Sequence, residues 1–313
     1  MNEYNRNTVG VDISKAYLDV HRLAPAESAR FDNHRRGFEA LAKWVGPSVE
    51  AVIYEPTGPW HRDFEEALAG RLPRVRVNPM RARRFAQASG QQAKTDAIDA
   101  HMLSRMGAAV PTRPVPVPSP THQELDELQT ARDGLMKDRT ATVNRQKTVR
   151  HKLLKRQLKQ RLTQIDRQIG AIDEAVGKLI ASDDGLARKS EVLTSIPGIG
   201  AVTAAGLLTE LPELGQIDGK AIASLTGLAP MTCQSGQWKG HRFIRGGRAR
   251  PRRMLYMAAL SAIQHHPELS SKYADLKKRG KPSKLALTAI MRKLIVLANA
   301  LVKQDRRWTP AAA

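Results

Sequence analysis

Four carboxylates stand at positions that chemistry would explain. Asp12 lies inside the apolar run 8–13 (TVGVDI), where an uncompensated carboxylate costs several kcal/mol unless it is paired or bound to a metal. Glu55 ends a second apolar run (AVIY). Asp96 and Asp99 are three positions apart in a segment of helical pattern, so their side chains project from one helix face. The four residues are therefore candidates for one polar site.

Four carboxylates that converge on one point repel each other strongly. Two hard cations such as Mg²⁺, held about 4 Å apart, would relieve the repulsion and supply the clamp used in phosphoryl transfer. Ordinary explanations exist as well: Asp96 suits the first turn of a helix, where the dipole favours acids, and Glu55 suits a strand end at the surface. The ordinary explanation is weakest for Asp12, because it lies inside an apolar strand.

The first hundred residues alternate strand and helix patterns that would position these acids. Apolar runs predict strands at 8–13, 16–23, near 29–31, 51–54 and 75–77, and helical spacing predicts helices at 37–45, at 60–72 and from 79 onward. Thr95 is a suitable N-cap for a further helix through Asp96, Asp99 and Met102. The β-β-β-α-β-α-β-α order predicts an α/β layer with a mixed sheet.

The composition changes abruptly after this region. Residues 111–120 contain five prolines, which predict a stiff extended linker. Beyond it, apolar residues at steps of three and four form a heptad seam: Leu154, Leu158, Leu162, Ile165, Ile169, Ile172, Val176 and Leu179. The seam favours a coiled-coil arm, paired between subunits, or a long helical hairpin; a helix packed on its own domain is the alternative.

These features divide the chain into four parts. Residues 1–110 are predicted to be an α/β catalytic domain and 111–120 a linker. Residues 121–185 are predicted to form the helical coiled-coil arm, and 186–313 a mostly α-helical domain. In the last part, the segment 196–200 (IPGIG) has the form of a helix-hairpin-helix turn, although a glycine-rich turn between two packed helices would look similar.

The net charge of +21 points to a polyanionic partner, of which nucleic acid is the commonest. Residues 1–110 carry only +3, whereas 111–190 carry +6 and 191–313 carry +12. The stretches 139–161 and 220–266 contain nine and eight Lys or Arg, respectively, and no acid. A solvated helix face and a basic loop are the ordinary explanation, but one-signed runs repel themselves, which favours an anionic partner.

We expect nucleic acid to contact the arm, the glycine-rich turn and the basic loop. The candidates are Arg145, Lys147, Arg150, Lys152, Lys155, Arg156, Lys159, Gly198, Gly200, Lys239, Arg242, Arg245 and Arg248. A single cysteine excludes an internal disulfide framework. No apolar stretch approaches the length that spans a bilayer, and the amino terminus lacks a secretory signal. We therefore expect a soluble cytoplasmic protein, associated with the nucleoid of a prokaryote, without a membrane partner.

Three separated segments resemble a known family. In order, 9–15 (VGVDISK), 54–58 (YEPTG) and 94–100 (KTDAIDA) are similar to the D-E-D-D signature of the insertion-sequence 110 family of transposases. The resemblance implies an RNase H-like amino-terminal domain, similar to the RuvC Holliday-junction resolvase, and a structured non-coding RNA that guides the choice of target and donor DNA. The implied ligands of Mg²⁺, with Mn²⁺ as an alternative, are Asp12, Glu55, Asp96 and Asp99.

The same resemblance assigns a nucleophile in the carboxy-terminal domain. The family carries a Ser-Gly pair downstream of a Gly-Leu-x-Pro segment, and the matching residue is Ser235. The basic residues after it are suited to hold a scissile phosphate. A serine needs a base or a metal, and since only His241 is nearby, we expect this help from the carboxylate domain of the same or another subunit. Cys233 is a rival nucleophile, and a loop hydroxyl on a phosphate-binding surface is the ordinary alternative.

These features together predict a transposase that cuts and rejoins DNA through a phosphoserine intermediate assisted by Mg²⁺. Because several strands must be cut, we expect a dimer or tetramer. One alternative is a metal-dependent, resolvase-like nuclease in which water is the nucleophile. Another is a non-catalytic DNA-binding protein that uses the glycine-rich turn and the basic arm.

Overall fold

The computed structural model describes residues 6–91, 95–111, 114, 119–232, 234–236 and 238–310, apart from the side chains of Trp238 and Lys239. The chain forms two compact units, Met1–Pro118 and Ser119–Ala313, and each is described by itself. The boundary lies within the proline-rich segment, and the long helices of the arm share a unit with the carboxy-terminal helices.

The first unit is built on a mixed five-stranded sheet, which confirms the predicted α/β layer. Its strands are β1 (Thr8–Ile13), β2 (Tyr17–Arg22), β3 (Glu27–Asp32), β4 (Ala51–Tyr54) and β5 (Arg74–Arg76), in the order β3-β2-β1-β4-β5. Strands β1, β2 and β3 are antiparallel neighbours, whereas β4 runs parallel to β1, and β5 runs parallel to β4. Its helices are α1 (Arg35–Val45), α2 (Arg62–Ala67), α3 (Pro79–Ala88) and α4 (Asp96–Ala109).

Helices cover both faces of this sheet. Since successive strand residues point to opposite faces, the central strands pack against helices on both sides. On one face, Val11 and Tyr54 pack with Phe64 of α2 and with apolar residues of α1. On the other face, Ile53 packs with Leu103 of α4. The sheet is therefore the middle of three layers, and the face of a strand residue decides which helices it meets.

Helix α2 is shorter than the helix predicted at 60–72. The chain leaves the helical conformation at Leu68, and Gly70 adopts a φ of 68°, a left-handed conformation that suits glycine. Leu68 and Leu72 still reach the core, which explains the helical spacing of the apolar residues. Turns, rather than a continuous helix, hold the second half of this segment.

The second unit begins with two long helices that form a hairpin. They are α5 (Pro120–Thr148) and α6 (Lys152–Ala181). In the predicted seam, Val176 is buried and packs with Leu125 of α5. Across the hairpin, Arg139 pairs with Asp166 at 2.7 Å, so part of the basic run has an acidic partner outside it. The carboxy-terminal part of the seam thus packs within one chain, and its pairing between subunits stays a prediction.

The rest of the second unit is mostly helical, as predicted. Its elements are α7 (Asp184–Thr194), α8 (Ala201–Glu210), α9 (Gly219–Leu225), β6 (Pro230–Met231), β7 (Gln234–Ser235), β8 (Trp238–Lys239), β9 (Phe243–Ile244), α10 (Ala249–His265), α11 (Pro267–Lys278) and α12 (Ser283–Lys303). Among the helices described here, α12 alone has the length and apolar composition of a membrane span. Leu294 and Ile295 of this helix are fully buried in the core of the unit.

Candidate active site

Asp12 and Glu55 lie next to each other at the carboxyl ends of two neighbouring parallel strands. Val11 of β1 pairs with Tyr54 of β4, so the next residue on each strand is one of the two acids. Since side chains alternate along a strand, Asp12 points to the same face as Gly10, and this face is covered by α4. The parallel register therefore delivers two of the predicted acids to one edge of the sheet.

Helix α4 supplies the other two acids in its first turn. The N–H of Ile98 donates to the hydroxyl oxygen of Thr95 at 3.3 Å, which confirms the predicted N-cap. Asp96 and Asp99 both belong to the capped turn, where the helix dipole favours negative charge. The cap thus sets where the helix begins and which residues its amino-terminal end presents.

The packing of α4 on β1 places that first turn beside Asp12. The hydroxyl of Thr8 donates to the carbonyl of Ser104 at 2.8 Å, and a Cβ added at Gly10 would lie 2.0 Å from the carbonyl oxygen of Ala100. Residues nearer the carboxyl end of β1 therefore contact residues nearer the amino terminus of α4. Two residues further along β1, Asp12 reaches the level of the first helical turn.

Small and hydrogen-bonding residues that the sequence did not reveal as part of the site hold α4 against the sheet. A Cβ at Gly107 would lie only 2.5 Å from Cγ1 of Ile53, so this glycine, like Gly10, permits a close approach of helix and sheet. Nδ1 of His21 lies 2.9 Å from Oγ of Ser104. Burial, and secondarily a neighbouring histidine, lowers the pKa of His21 and favours its neutral form. The available signal was a glycine in the middle of an apolar strand.

The electrostatics of Asp12 show that the four acids are close together. Its pKa is raised from the ordinary 3.8 to about 6, first by burial and then by the charges of Asp96, Asp99 and Glu55, with a smaller effect of Asp19. Each of these charges disfavours ionisation of Asp12. The other three acids thus lie within electrostatic range of Asp12, and their role as metal ligands stays a prediction.

The arrangement is crowded without being a closed metal site. Within the described ranges, no group of three or more His, Cys, Asp or Glu side chains has an arrangement that could hold a metal ion. The donor chemistry nevertheless fits hard divalent cations, which prefer carboxylate oxygens, and the neighbouring acidic charges add to burial in raising the pKa of Asp12. Chemically, such a cluster can take up a cation or a proton.

A buried ionic network supports the strand that precedes Glu55. The Tyr54 hydroxyl donates to Glu65, and Arg76 donates two hydrogen bonds to the same carboxylate, at 2.9 and 2.6 Å. Burial and this carboxylate raise the pKa of Tyr54, which keeps the hydroxyl protonated as a donor. The network ties β4, α2 and β5 together, and it fixes the end of β4 from which Glu55 extends.

Ser235 lies in a small β-hairpin, where the sequence predicted a flexible loop. It pairs with Trp238 across β7 and β8, and Gly236 between them has a φ of 55°. Ser235 is exposed. Cys233, the rival nucleophile, lies outside the described residues, and so does the side chain of Lys239. An exposed hydroxyl at a tight turn is accessible to an incoming phosphate.

The basic loop residues fall into two groups. Arg242 and Arg245 are exposed and available to an anionic ligand. Arg248, by contrast, donates to both carboxylate oxygens of Glu213, at 2.7 and 2.6 Å, and to the backbone carbonyl of Glu210. Burial alone would raise the pKa of Glu213, but these hydrogen bonds outweigh it and lower the value. Arg248 thus has a role in holding helices together that the sequence did not reveal.

The other predicted nucleic-acid contacts also differ in their surroundings. Gly200 is exposed at the N-cap of α8, whereas Gly198 packs on α10, because a Cβ there would lie 2.7 Å from Cβ of Ala262. At the tip of the helical hairpin, seven basic residues are exposed and form no ion pair within the described ranges: Arg145, Lys147, Arg150, Lys152, Lys155, Arg156 and Lys159. The tip is thus the largest exposed group of predicted phosphate contacts.

Comparisons with known proteins find related transposases and recombinases. A family model described as a DEDD transposase matches residues 9–163, and a model of the transposase IS116/IS110/IS902 family matches residues 190–274. The pilin gene-inverting protein of Moraxella bovis is 28% identical over 96% of this chain and 97% of its own length. An IS110 protein of Streptomyces coelicolor is 31% identical over 45% of this chain and 35% of its own length.

The fold, the acids and these matches define an enzyme of DNA recombination, of the transposase type. The first family model covers all four carboxylates, and the second covers the part of the helical unit that contains Ser235. The chain belongs to the IS110 family of transposases.

Proposed function

We propose that the protein moves or inverts a DNA segment by cutting strands and rejoining them through a phosphoserine intermediate. In this scheme Oγ of Ser235 attacks a phosphodiester, its proton passes to a base, and the P–O bond to the leaving strand breaks. The free hydroxyl of a strand cut at a second site then attacks the phosphoserine, which releases the serine and seals the new junction. The reaction needs no nucleotide hydrolysis, because one phosphoester bond replaces another at each step.

The convergence of the four carboxylates is the observation that carries this proposal. Burial raises the pKa of Asp12 to about 6 together with the charges of Asp96, Asp99 and Glu55, and divalent cations would relieve the repulsion among these acids. Bound Mg²⁺, or Mn²⁺, would neutralise the scissile phosphate and polarise it for attack. The residues of this chain contribute the ligand oxygens and hold them at one edge of an RNase H-like sheet.

Rejoining, rather than cleavage alone, is supported by the full-length relatives. The similarity to the pilin gene-inverting proteins of Moraxella spans 97% of their length, and an inversion requires that both ends be resealed in a new order. A nuclease that uses water would leave open ends. This difference favours the recombinase over the resolvase-like nuclease and over a non-catalytic DNA-binding protein.

Covalent trapping tests the nucleophile. DNA that carries the flanks of the gene is incubated with the protein and Mg²⁺, and the mixture is denatured and resolved by electrophoresis. We expect a denaturation-resistant adduct that disappears in Ser235→Ala and persists in Cys233→Ala. Strand cleavage at full rate by Ser235→Ala would assign the reaction to water, and an adduct lost only in Cys233→Ala would assign it to the cysteine.

Loss of a carboxylate tests the metal site separately. Asp12→Asn removes one negative charge and one ligand with little change of shape, so we expect strand cleavage to be lost while DNA is still bound. Retention of every activity by Asp12→Asn would leave only the non-catalytic alternative for this unit.

The basic tip of the helical hairpin is the proposed surface for a structured guide RNA or for the DNA backbone. Its exposed cations are spread over the ends of both helices, which suits a phosphate backbone rather than a single anion. We further propose a dimer or tetramer, because rejoining two DNA ends needs more than one serine. Sedimentation of the full chain with and without the RNA encoded beside the gene would test both.

A further inference from the structure

An exposed tryptophan stands at the edge of the sheet that carries the acids. Trp60 is 40% exposed and Tyr17 of the same unit 45%, whereas Tyr54 and Phe64 are fully buried. Leaving an indole in water forgoes the stabilisation that its burial would give. A side chain of this kind is suited to bind a ligand with a flat apolar face.

The backbone of Trp60 is held in place by defined hydrogen bonds. Its N–H donates to the carbonyl of Thr57 at 3.1 Å. The side-chain amide of Asn33 donates to the carbonyl of Trp60 at 3.2 Å and to that of Ser14 at 2.7 Å. The side-chain amide of Asn33 therefore joins the segment after β4 to the turn after β1, and it holds the backbone that carries the indole.

A cation accompanies the ring. Nζ of Lys15 lies 5.4 Å from the centroid of the Trp60 indole, within the range of a cation–π contact. The hydroxyl of Ser14 donates to the carbonyl of Tyr17 at 2.8 Å and accepts from its N–H at 3.0 Å, so hydrogen bonds hold the turn that contains Lys15. Gly58, with a φ of 49°, leaves the edge of the indole uncrowded, since even a Cβ there would stay 3.7 Å away.

The position of this pair relative to the acids follows from the sheet. Lys15 comes three residues after Asp12, and Trp60 comes five residues after Glu55. Because β1 and β4 are parallel neighbours, both segments leave the sheet at the same edge. A DNA strand whose phosphate is held by the acids would pass over this edge.

We propose that Trp60 and Lys15 form a subsite for the nucleotide next to the scissile phosphate. The base stacks on the indole, and the ammonium group of Lys15 binds the adjoining phosphate. Stacking tolerates any base, because every base has a flat π-face, so the subsite sets the position of the strand rather than its sequence. This inference rests on the proposed function, which supplies the bound phosphate.

Fluorescence of a modified base tests the subsite in the full-length protein. The probe is a single-stranded thymidine 20-mer with one central 2-aminopurine, and Ca²⁺ replaces Mg²⁺ so that the strand is bound without being cut. Stacking on an indole quenches 2-aminopurine. We expect quenching that needs Ca²⁺, is lost in Trp60→Leu and is largely kept in Trp60→Phe, with binding about tenfold weaker in Trp60→Leu, equivalent to about 1.4 kcal/mol.

Two matched controls separate this effect from general surface changes. Tyr256→Leu removes an aromatic side chain with the same 40% exposure from α10, and Arg35→Ala removes an exposed cation of the first unit; both should leave the quenching unchanged. Lys15→Ala should lower the salt dependence of binding by about one unit of slope. Thermal unfolding of each Trp60 variant, compared with that of the parent protein, separates loss of the subsite from loss of the fold.

The outcomes distinguish the subsite from the proposed metal site. Quenching that is the same in Trp60→Leu as in the parent protein, or absent from both, overturns the subsite, including when a protein partner covers Trp60 instead. Quenching that depends on Trp60 but not on Ca²⁺ supports the subsite while contradicting cation binding by the acids.

Discussion

Replacement of Asp12 by asparagine should stabilise the metal-free protein at neutral pH, because it removes an acid that the fold disfavours in its charged form. The pKa of Asp12 rises from 3.8 to about 6 on folding, and each unit corresponds to about 1.4 kcal/mol. Ionisation of Asp12 therefore costs the folded state about 3 kcal/mol. Asparagine keeps the shape of the side chain and cannot ionise, so most of this free energy should be recovered.

The pH dependence gives the prediction its sign. For an acid whose pKa is higher in the folded state, the folded state holds the proton more tightly, and stability falls as pH rises from about 4 to about 6. The advantage of Asp12→Asn should thus be about 3 kcal/mol at pH 8, about half of that at pH 5 and about a fifth of it at pH 4. Titrating groups that do not interact with Asp12 cancel in the difference between the two proteins.

Hydrogen exchange of peptides from β1 and β4, measured in the presence of a chelator, reports the opening free energy of this unit alone. Glu66→Gln, which removes an exposed carboxylate from the same unit, should show no such pH-dependent gain. Adding Mg²⁺ at a thousand times its dissociation constant should reverse the ranking, since a ligand that binds only the folded parent protein then stabilises it by about 4.1 kcal/mol. Equal stability of Asp12→Asn and the parent at pH 8 and pH 4 would refute the crowding of the four acids.

Three further changes test the supports of the site and the nucleic-acid surface. Gly10→Ala should destabilise the first unit by at least about 3 kcal/mol and abolish strand cleavage, since the new Cβ would lie 2.0 Å from the carbonyl oxygen of Ala100. Gly134→Ala, where a new Cβ would meet nothing within 4 Å, should be neutral or stabilise the second unit by up to about 1 kcal/mol. Urea titration of each variant measures both changes. If both glycine variants unfold alike, the close approach of α4 is wrong. Glu213→Gln should destabilise the second unit by about 1–2 kcal/mol through Arg248, and an unchanged urea midpoint would contradict a structural role of this pair. Reversing three exposed charges at the hairpin tip should lower the salt slope of nucleic-acid binding by about three, whereas unchanged affinity and slope would exclude the tip as the binding surface. The substitutions are Arg145→Glu, Lys152→Glu and Lys159→Glu.

The acids were predictable from sequence because each interrupts or ends a local pattern. A charge within an apolar strand, a charge directly after another strand and two charges behind an N-cap are visible within a few residues. The mixed sheet was predictable for the same reason, since its strands are short apolar runs between turns. The ends of α2 were not, because Leu68 and Leu72 keep helical spacing while turns hold them.

Features that depend on distant residues could not be predicted. The basic stretch 220–266 contains no acid, yet Arg248 is held by Glu213, which precedes the stretch. Likewise, the contact of Gly10 with Ala100 joins residues far apart in the chain, and a lone strand glycine indicates a close approach without naming what approaches. A charge run therefore overstates the free cations of a surface whenever partners lie elsewhere in the chain.

The seating of α4 explains how mutually repelling acids remain together in the folded protein. Repulsion among Asp12, Asp96 and Asp99 favours a helix that moves away from β1. The glycine at position 10 removes the side chain that would hold the helix off, and the hydrogen bond from Thr8 to Ser104 anchors it further along. Stabilisation from apolar packing in that interface thus offsets the repulsion at the helix end. It follows that a weaker interface would lose the alignment of the acids before it lost the fold, so activity should be the more sensitive measure of changes on this face of α4.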